Sequence, residues 1–247
     1  MTAGLRLGVW LLAALSLVSG PGAQAQTPCR QALALGLDIS GSVDRAEYSL
    51  QMEGLASALT DPSVLDAFMS MPSAPIRIFI YEWAGLGTQR ILAEWTEIDS
   101  EEKLADIASS LRNQPRRPRE VATALGRAME FGAQALGQQA DCWKLTLDIS
   151  GDGQSNIGPR PREVRPMSIF NGITINALVI GADAPSSSDR RQVEIAELSS
   201  YFRTEVVLGP DAFVMTALGF EDYQAAMTRK LLRELEVLAI GSLTTSP

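Results

Sequence analysis

The sequence predicts an α/β fold: a central, mostly parallel sheet with one antiparallel edge strand and helices on both faces. Three observations predict it. Apolar segments of strand length alternate with amphipathic segments of helical length along the chain, the pattern of a parallel sheet with crossover helices. The segment Ala32–Leu37 carries no polar side chain, so both of its faces are expected to be buried, as in a central parallel strand. Ile76–Tyr81 and Gln89–Trp95 are joined through the turn Gly85-Leu86-Gly87. That connection is too short for a crossover and makes a hairpin, placing one antiparallel strand at an edge.

Taken in order, the first strand (Ala32–Leu37) runs out at Asp38-Ile39-Ser40-Gly41-Ser42. A helix follows over Asp44–Leu59, where an N-cap-type Asp44 stands three residues before Glu47, a capping-box signature. After the hairpin strands, helical periodicity returns over Ser100–Leu111 and Arg119–Ala135. Trp143–Ile149 is another apolar strand and ends at Ser150-Gly151-Asp152-Gly153. Ile173–Ile180 is a strand, Gln192–Phe202 a helix, Ala212–Thr216 a short last strand and Glu221–Leu238 a closing helix, with Gly241–Pro247 a frayed tail. No internal linker is long enough to divide the chain. Trp83 and Trp95 near strand ends read as packing residues.

The amino-terminal residues read as a secretory signal peptide, residues 1–25. Arg6 supplies the positive region, Leu7–Val18 the apolar stretch and Ala23-Gln24-Ala25 a small-residue cleavage site. Removing those 25 residues from 247 leaves 222, a length for one domain, residues 26–247, with a sizeable core. No later apolar stretch reaches the length of a membrane span. The expected location is periplasmic or secreted.

The formal net charge of −8 becomes −9 once Arg6 leaves with the leader, which argues against a nucleic-acid binder. The chain contains no histidine. Ser-His-Asp and Cys-His catalysis and His-ligated zinc or iron are thereby excluded. Cys29 and Cys142 each lie just upstream of one of the two loop-bearing strands. If those strands are parallel neighbours, both thiols sit at the amino-terminal edge of the sheet. In an oxidising compartment a disulfide is then the leading expectation, against two unpaired structural thiols.

The chemistry concentrates at the carboxyl ends of strands, where open α/β sheets bind ligands. Asp38, Ser40 and Ser42 stand on one such loop, Thr123 in Val121-Ala122-Thr123-Ala124-Leu125-Gly126 at a helix start, and Asp152 on the loop after Trp143–Ile149. Two carboxylates and three hydroxyls form a hard oxygen set suited to Mg²⁺, Mn²⁺ or Ca²⁺, with water completing the octahedron Mg²⁺ demands. Read singly, Ser42, Asp44 and Thr123 are helix caps; together the five favour a cation. Leu147-Asp148-Ile149-Ser150-Gly151-Asp152 echoes Leu37–Ser42, so Asp148 competes with Asp152 as the third-loop carboxylate. Asp152 lies between glycines that let the backbone turn toward a ligand and is preferred, with Asp148 a buried, hydrogen-bonded support. Gly151-Asp152-Gly153-Gln154-Ser155-Asn156 begins like a dinucleotide fingerprint but lacks the third glycine.

The Asp38–Ser42 segment, with Thr123 and Asp152, resembles the metal-ion-dependent adhesion site (MIDAS) of von Willebrand factor A-type (VWA) domains. The blocks Leu147–Gly153, Gly172–Leu178, Gly209–Val214 and Arg229–Glu234 resemble an uncharacterised family of exported bacterial VWA proteins, over nearly the whole mature chain. The resemblance implies a Rossmann-like VWA fold. It further implies that Ser40, Ser42 and Thr123 bind the ion directly or in a shifted state, while Asp38 and Asp152 act through water. Few direct carboxylates would leave the ion electrophilic toward an acidic side chain of a protein or peptide partner. Pro166 departs from the pattern, since an acidic residue is expected in the helix after the third loop, and puts that helix start in question.

Arg112, Arg116, Arg117 and Arg119 precede Thr123, and Arg160, Arg162 and Arg165 follow Asp152. Arg116, Arg117, Arg119, Arg160 and Arg162 are therefore expected to form a basic rim that guides an acidic partner to the cation, against the plainer expectation of solvated loops. The expected function is divalent-cation-dependent protein binding. The alternatives are a metal-assisted hydrolase, for which no general base stands beside the loops, and a structural subunit of a cell-envelope assembly.

Overall fold

A computed structural model describes residues 28–117, 119–181 and 188–236. The expected leader and the tail from Gly241 lie outside the described residues. Six strands form one sheet: β1 (Gln31–Asp38), β2 (Ile76–Trp83), β3 (Gln89–Ile98), β4 (Leu145–Gly151), β5 (Ile173–Ile180) and β6 (Val214–Ala217). Their order is β3-β2-β1-β4-β5-β6. Every pairing is parallel except β2 with β3, the hairpin at the edge. The helices are α1 (Arg45–Leu59), α2 (Pro62–Met69), α3 (Glu101–Arg112), α4 (Leu125–Leu136), α5 (Pro161–Val164), α6 (Ser188–Tyr201) and α7 (Tyr223–Leu235).

β1 is buried at all eight positions and splits the core in two. Leu33, Leu35 and Leu37 pack with residues of α1, α3 and α7 on one face. Ala32 and Ala34, with Tyr81 and Leu147, pack against α4 on the other. Tyr81 ties that second layer to the sheet by donating its hydroxyl to the Ala128 carbonyl at 2.7 Å. The strand order reverses direction between β1 and β4. That switch point opens a crevice at the carboxyl edge of the sheet, and Asp38 and Asp152 stand on its two sides.

At the opposite edge Cys29 and Cys142 form a disulfide with Cα atoms 4.5 Å apart, across 113 residues of sequence. Trp143 N–H donates to the Cys29 carbonyl beside it at 2.9 Å. Trp83 is fully buried and Trp95 stacks on Phe79 with ring centroids 5.2 Å apart, as packing residues do. Among the described residues no helix is long and apolar enough to cross a membrane.

Several elements differ from the sequence expectation, and four of the differences bear on the site or the core. Residues 119–124 are irregular chain bent at Val121 and Ala122, not the first turns of the helix expected from Arg119; α4 begins at Leu125. β4 begins at Leu145, because Trp143 is at the edge and exposed. A helix the periodicity had not distinguished, α2, is started by Asp61, whose carboxylate accepts from Ser63 N–H at 3.0 Å, and by Pro62 at its first position. After the third loop a helix of only four residues starts at Pro161, with Glu163 accepting from Arg160 N–H at 2.9 Å. Pro166 lies just beyond it and is exposed.

Candidate metal centre

Three loops meet over the β1–β4 crevice. The first leaves β1 at Asp38, whose buried Oδ1 accepts from Ser40 N–H at 2.8 Å and folds the loop into a tight turn. Val43 N–H closes the turn on the Ser40 carbonyl at 3.1 Å. The loop ends where Asp44 caps α1: Glu47 N–H donates to Asp44 at 2.9 Å and Asp44 N–H to Glu47 at 2.6 Å. The capping work thus falls to Asp44 and leaves Ser40 and Ser42 for other partners. Their hydroxyls lie 3.4 Å apart, and Ser42 Oγ donates to Asp152 Oδ1 at 2.7 Å. That bond joins the first loop to the third.

The second loop runs beneath both. Gly41 N–H donates to the Val121 carbonyl at 2.8 Å. Thr123 N–H donates to Asn156 Oδ1 at 2.9 Å, and Asn156 N–H returns a bond to the Thr123 carbonyl at 2.9 Å. Ala124, not Thr123, occupies the cap position of α4. Thr123 is buried and held by the third loop, so helix capping does not explain it. Asn156, which sequence reasoning weighed only as a missing glycine, is the clamp between the two loops.

The electrostatics are those of two buried carboxylates near one another. Asp38 is fully buried, and its Oδ2 has no hydrogen-bond partner. Burial, and then the negative charge of Asp152, push its carboxyl well above the usual range. Burial also raises Asp152, against the Ser42 hydroxyl that stabilises its charge. Among the described residues no group of three or more Asp, Glu, Cys or His side chains is placed to hold a metal ion by itself. Two carboxylates with three hydroxyls are a set for a hard, oxygen-seeking divalent cation, and the orphaned Asp38 oxygen is the atom such a cation or its water would satisfy.

Asp148 takes no part. It lies on the face of β4 toward α7, where Lys230 Nζ is 2.6 Å from its Oδ2. Asp148 is thus buried and ion-paired in the core, away from the three loops. The basic rim also differs from expectation. Arg116 and Arg119 turn inward and donate to backbone carbonyls of the first loop, because that turn leaves acceptors which need donors. Arg112 pairs with Glu53 at 3.0 Å and Arg165 donates to the Val207 carbonyl at 2.8 Å. Arg117 and Arg160 are exposed, as is Arg162, which lies 3.6 Å from Glu205.

The family model described as "Protein of unknown function (DUF1194)" matches residues 28–239. The chain belongs to this family. A search of curated proteins finds no match. Among solved structures the chain is similar to von Willebrand factor type A from Catenulispora acidiphila, with TM-score 0.55 and 12% identity over 84% of this chain and 43% of that one. It is similar to the pilus adhesin SpaC from Lactobacillus rhamnosus GG, with TM-score 0.57 and 12% identity over 86% of this chain and 32% of that one. It is also similar to proximal thread matrix protein 1 from the mussel byssus, in a structure "with zinc occupied MIDAS motif", with TM-score 0.54 and 18% identity over 84% and 48%. The chain spans less than half the length of each. At these identities the likeness shows the fold, which is that of a VWA-type domain.

Proposed function

We propose that this DUF1194 chain is an exported VWA module that binds a protein partner through a divalent cation, Mg²⁺ first and Mn²⁺ or Ca²⁺ next. Asp38, Ser40, Ser42, Thr123 and Asp152 would hold the ion, which when bound supplies an electrophilic site for a partner's acidic side chain. The observation that carries this reading is the union of the first and third loops by the Ser42–Asp152 bond of 2.7 Å beside a buried Asp38 oxygen with no partner.

A macromolecular partner is favoured by the surroundings. Val121, Leu86 and Ile157 are 75%, 42% and 39% exposed on loops around the site, and exposed aliphatic clusters mark interaction surfaces. Leu86 lies against Gly158, next to Ile157. The cleft beside Asp152 and Gly153 measures only about 290 Å³, at the low end for a small-molecule pocket. Arg117, Arg160 and Arg162 would steer an acidic partner. Fold neighbours that include a pilus adhesin and a byssus matrix protein support a binding role, and the leader read in residues 1–25 supports export.

The test is thermal melting with Mg²⁺, Mn²⁺ or chelator. At a hundredfold excess over Kd a bound ion stabilises by about 2.7 kcal/mol, a rise of roughly 5–10 °C for a chain of this length. Wild type is expected to gain it and Asp38→Ala to lose it; equal melts with and without ion refute the ion site. Ion-dependent capture of a partner separates binding from a purely structural ion, and turnover of ester or phosphate substrates would favour the hydrolase alternative.

A further inference from the structure

Arg119 does something in this molecule that an exposed rim residue would not. Its Nε donates to the Ile39 carbonyl, and its Nη2 donates to the carbonyls of Ser40 at 2.9 Å and Val43 at 2.7 Å. One guanidinium therefore holds three backbone acceptors of a five-residue turn that also carries Ser40 and Ser42. Arg116 adds a second donor to the Val43 carbonyl. The next residue, Glu120, is fixed at the other side: its Oε1 accepts from Gly87 N–H in the β2–β3 turn at 2.9 Å. The chain before Thr123 is thus a strap anchored to the hairpin at one end and to the first loop at the other.

We infer that Arg119 is the positioning residue of the ion site, holding the Ile39–Val43 backbone in the shape that aims the Ser40 and Ser42 hydroxyls at the Asp152 side of the crevice. The inference rests on the ion site proposed above. Its physical basis is the planar fork of arginine, which presents several N–H donors in fixed directions and meets carbonyls that one ammonium cannot span. Without that fork, the Ile39, Ser40 and Val43 carbonyls would have to find water or a different backbone path. Either change would let the two hydroxyls drift. Arg119 touches no ligand atom, so its effect would run through loop order, in the way that outer partners orient the ligands of other metal sites.

The test uses the full mature chain as wild type, Arg119→Met and Arg119→Lys, with Asp38→Ala as the ion-free control. Mn²⁺ affinity is measured by titration calorimetry. Melting is followed in chelator, and hydrogen exchange is read at the Gly41 and Val43 amides, also in chelator. Both Arg119 variants are expected to lose about 10–100-fold in Mn²⁺ affinity, to melt within a few degrees of wild type in chelator, and to exchange Gly41 and Val43 faster. Wild-type affinity in Arg119→Met overturns the inference. Full rescue by Arg119→Lys also overturns it, since charge alone would then suffice. If wild type itself binds no Mn²⁺, the ion site fails, and the exchange data still decide the strap: unchanged rates refute it, faster rates support it. Should Arg119→Met fail to fold, Arg119→Lys carries the same comparisons.

Discussion

Lys230, on α7, is fully buried between two buried acids, with Nζ 2.6 Å from Asp148 Oδ2 and 2.6 Å from Glu234 Oε1. Asn176 Nδ2 donates to the same Glu234 oxygen at 2.8 Å, and Asn176 Oδ1 accepts from Phe213 N–H at 3.2 Å. Two carboxylates share one ammonium, so one of them is held against its charge. Burial first, and then the Glu234 charge, push Asp148 up to about 7, with Lys230 opposing. Because the folded value lies above the ordinary one of 3.8, the folded chain binds more protons than the unfolded chain between those values. The stability Asp148 contributes is complete below about pH 4 and is lost as pH rises toward 7. Urea midpoints measured from pH 4 to 8 should fall over that window in wild type, and Asp148→Asn should make the fall shallower, the remainder coming from Asp38 and Asp152, which burial also raises; an unchanged slope in the variant would refute the assignment. The burial of Asp148 was expected from the sequence, but its partners were not. Lys230 lies far from Asp148 in sequence, and only the packing of α7 on β4 brings the two together. The five candidate ligands were legible because each sits where an apolar run is punctuated by Gly or by a polar turn.

The strands were the most readable elements, since continuous apolar runs admit few alternatives. The start of α4 was not. Val121, Ala122 and Leu125 continue the helical pattern of apolar positions, and local periodicity has no access to Asn156, which takes the Thr123 N–H from 33 residues away. Tertiary bonding overrides propensity there. The same junction offers a test. A Cβ placed on Gly126, in the first turn of α4, would lie 2.1 Å from the Pro159 carbonyl oxygen. No rotamer change relieves a clash with backbone, so Gly126→Ala must displace the third loop. A destabilisation of about 1–3 kcal/mol is expected, together with weaker ion binding, because Pro159 and Asn156 belong to one loop. Denaturant titration and ion titration of that variant measure the two effects separately. Retained affinity would mean that the third loop is positioned independently of α4.

Across the whole molecule, function and covalent reinforcement lie at opposite edges of the sheet. The candidate ligands follow the carboxyl ends of β1 and β4, and the disulfide precedes their amino ends. The pairing could be anticipated because each cysteine stands just ahead of a loop-bearing strand, and it follows once those strands are neighbours. Closing a loop of 113 residues stabilises by about 4–5 kcal/mol in the chain-entropy model. Replacing Cys29 and Cys142 by Ser should therefore lower the unfolding free energy by about that amount while leaving the ion affinity of the surviving folded protein unchanged. Chemical denaturation and calorimetry of the double variant check both halves.

The place of that covalent bond also decides where the sheet can begin to fray. Without it, β1 could peel from its neighbours one rung at a time, starting at Gln31. With Cys29 tied to Cys142, fraying at that end must take β4 along with β1, and two central strands have to part together before either gives way. The edge that carries the candidate ligands, at the far end of the same two strands, is then the last to loosen.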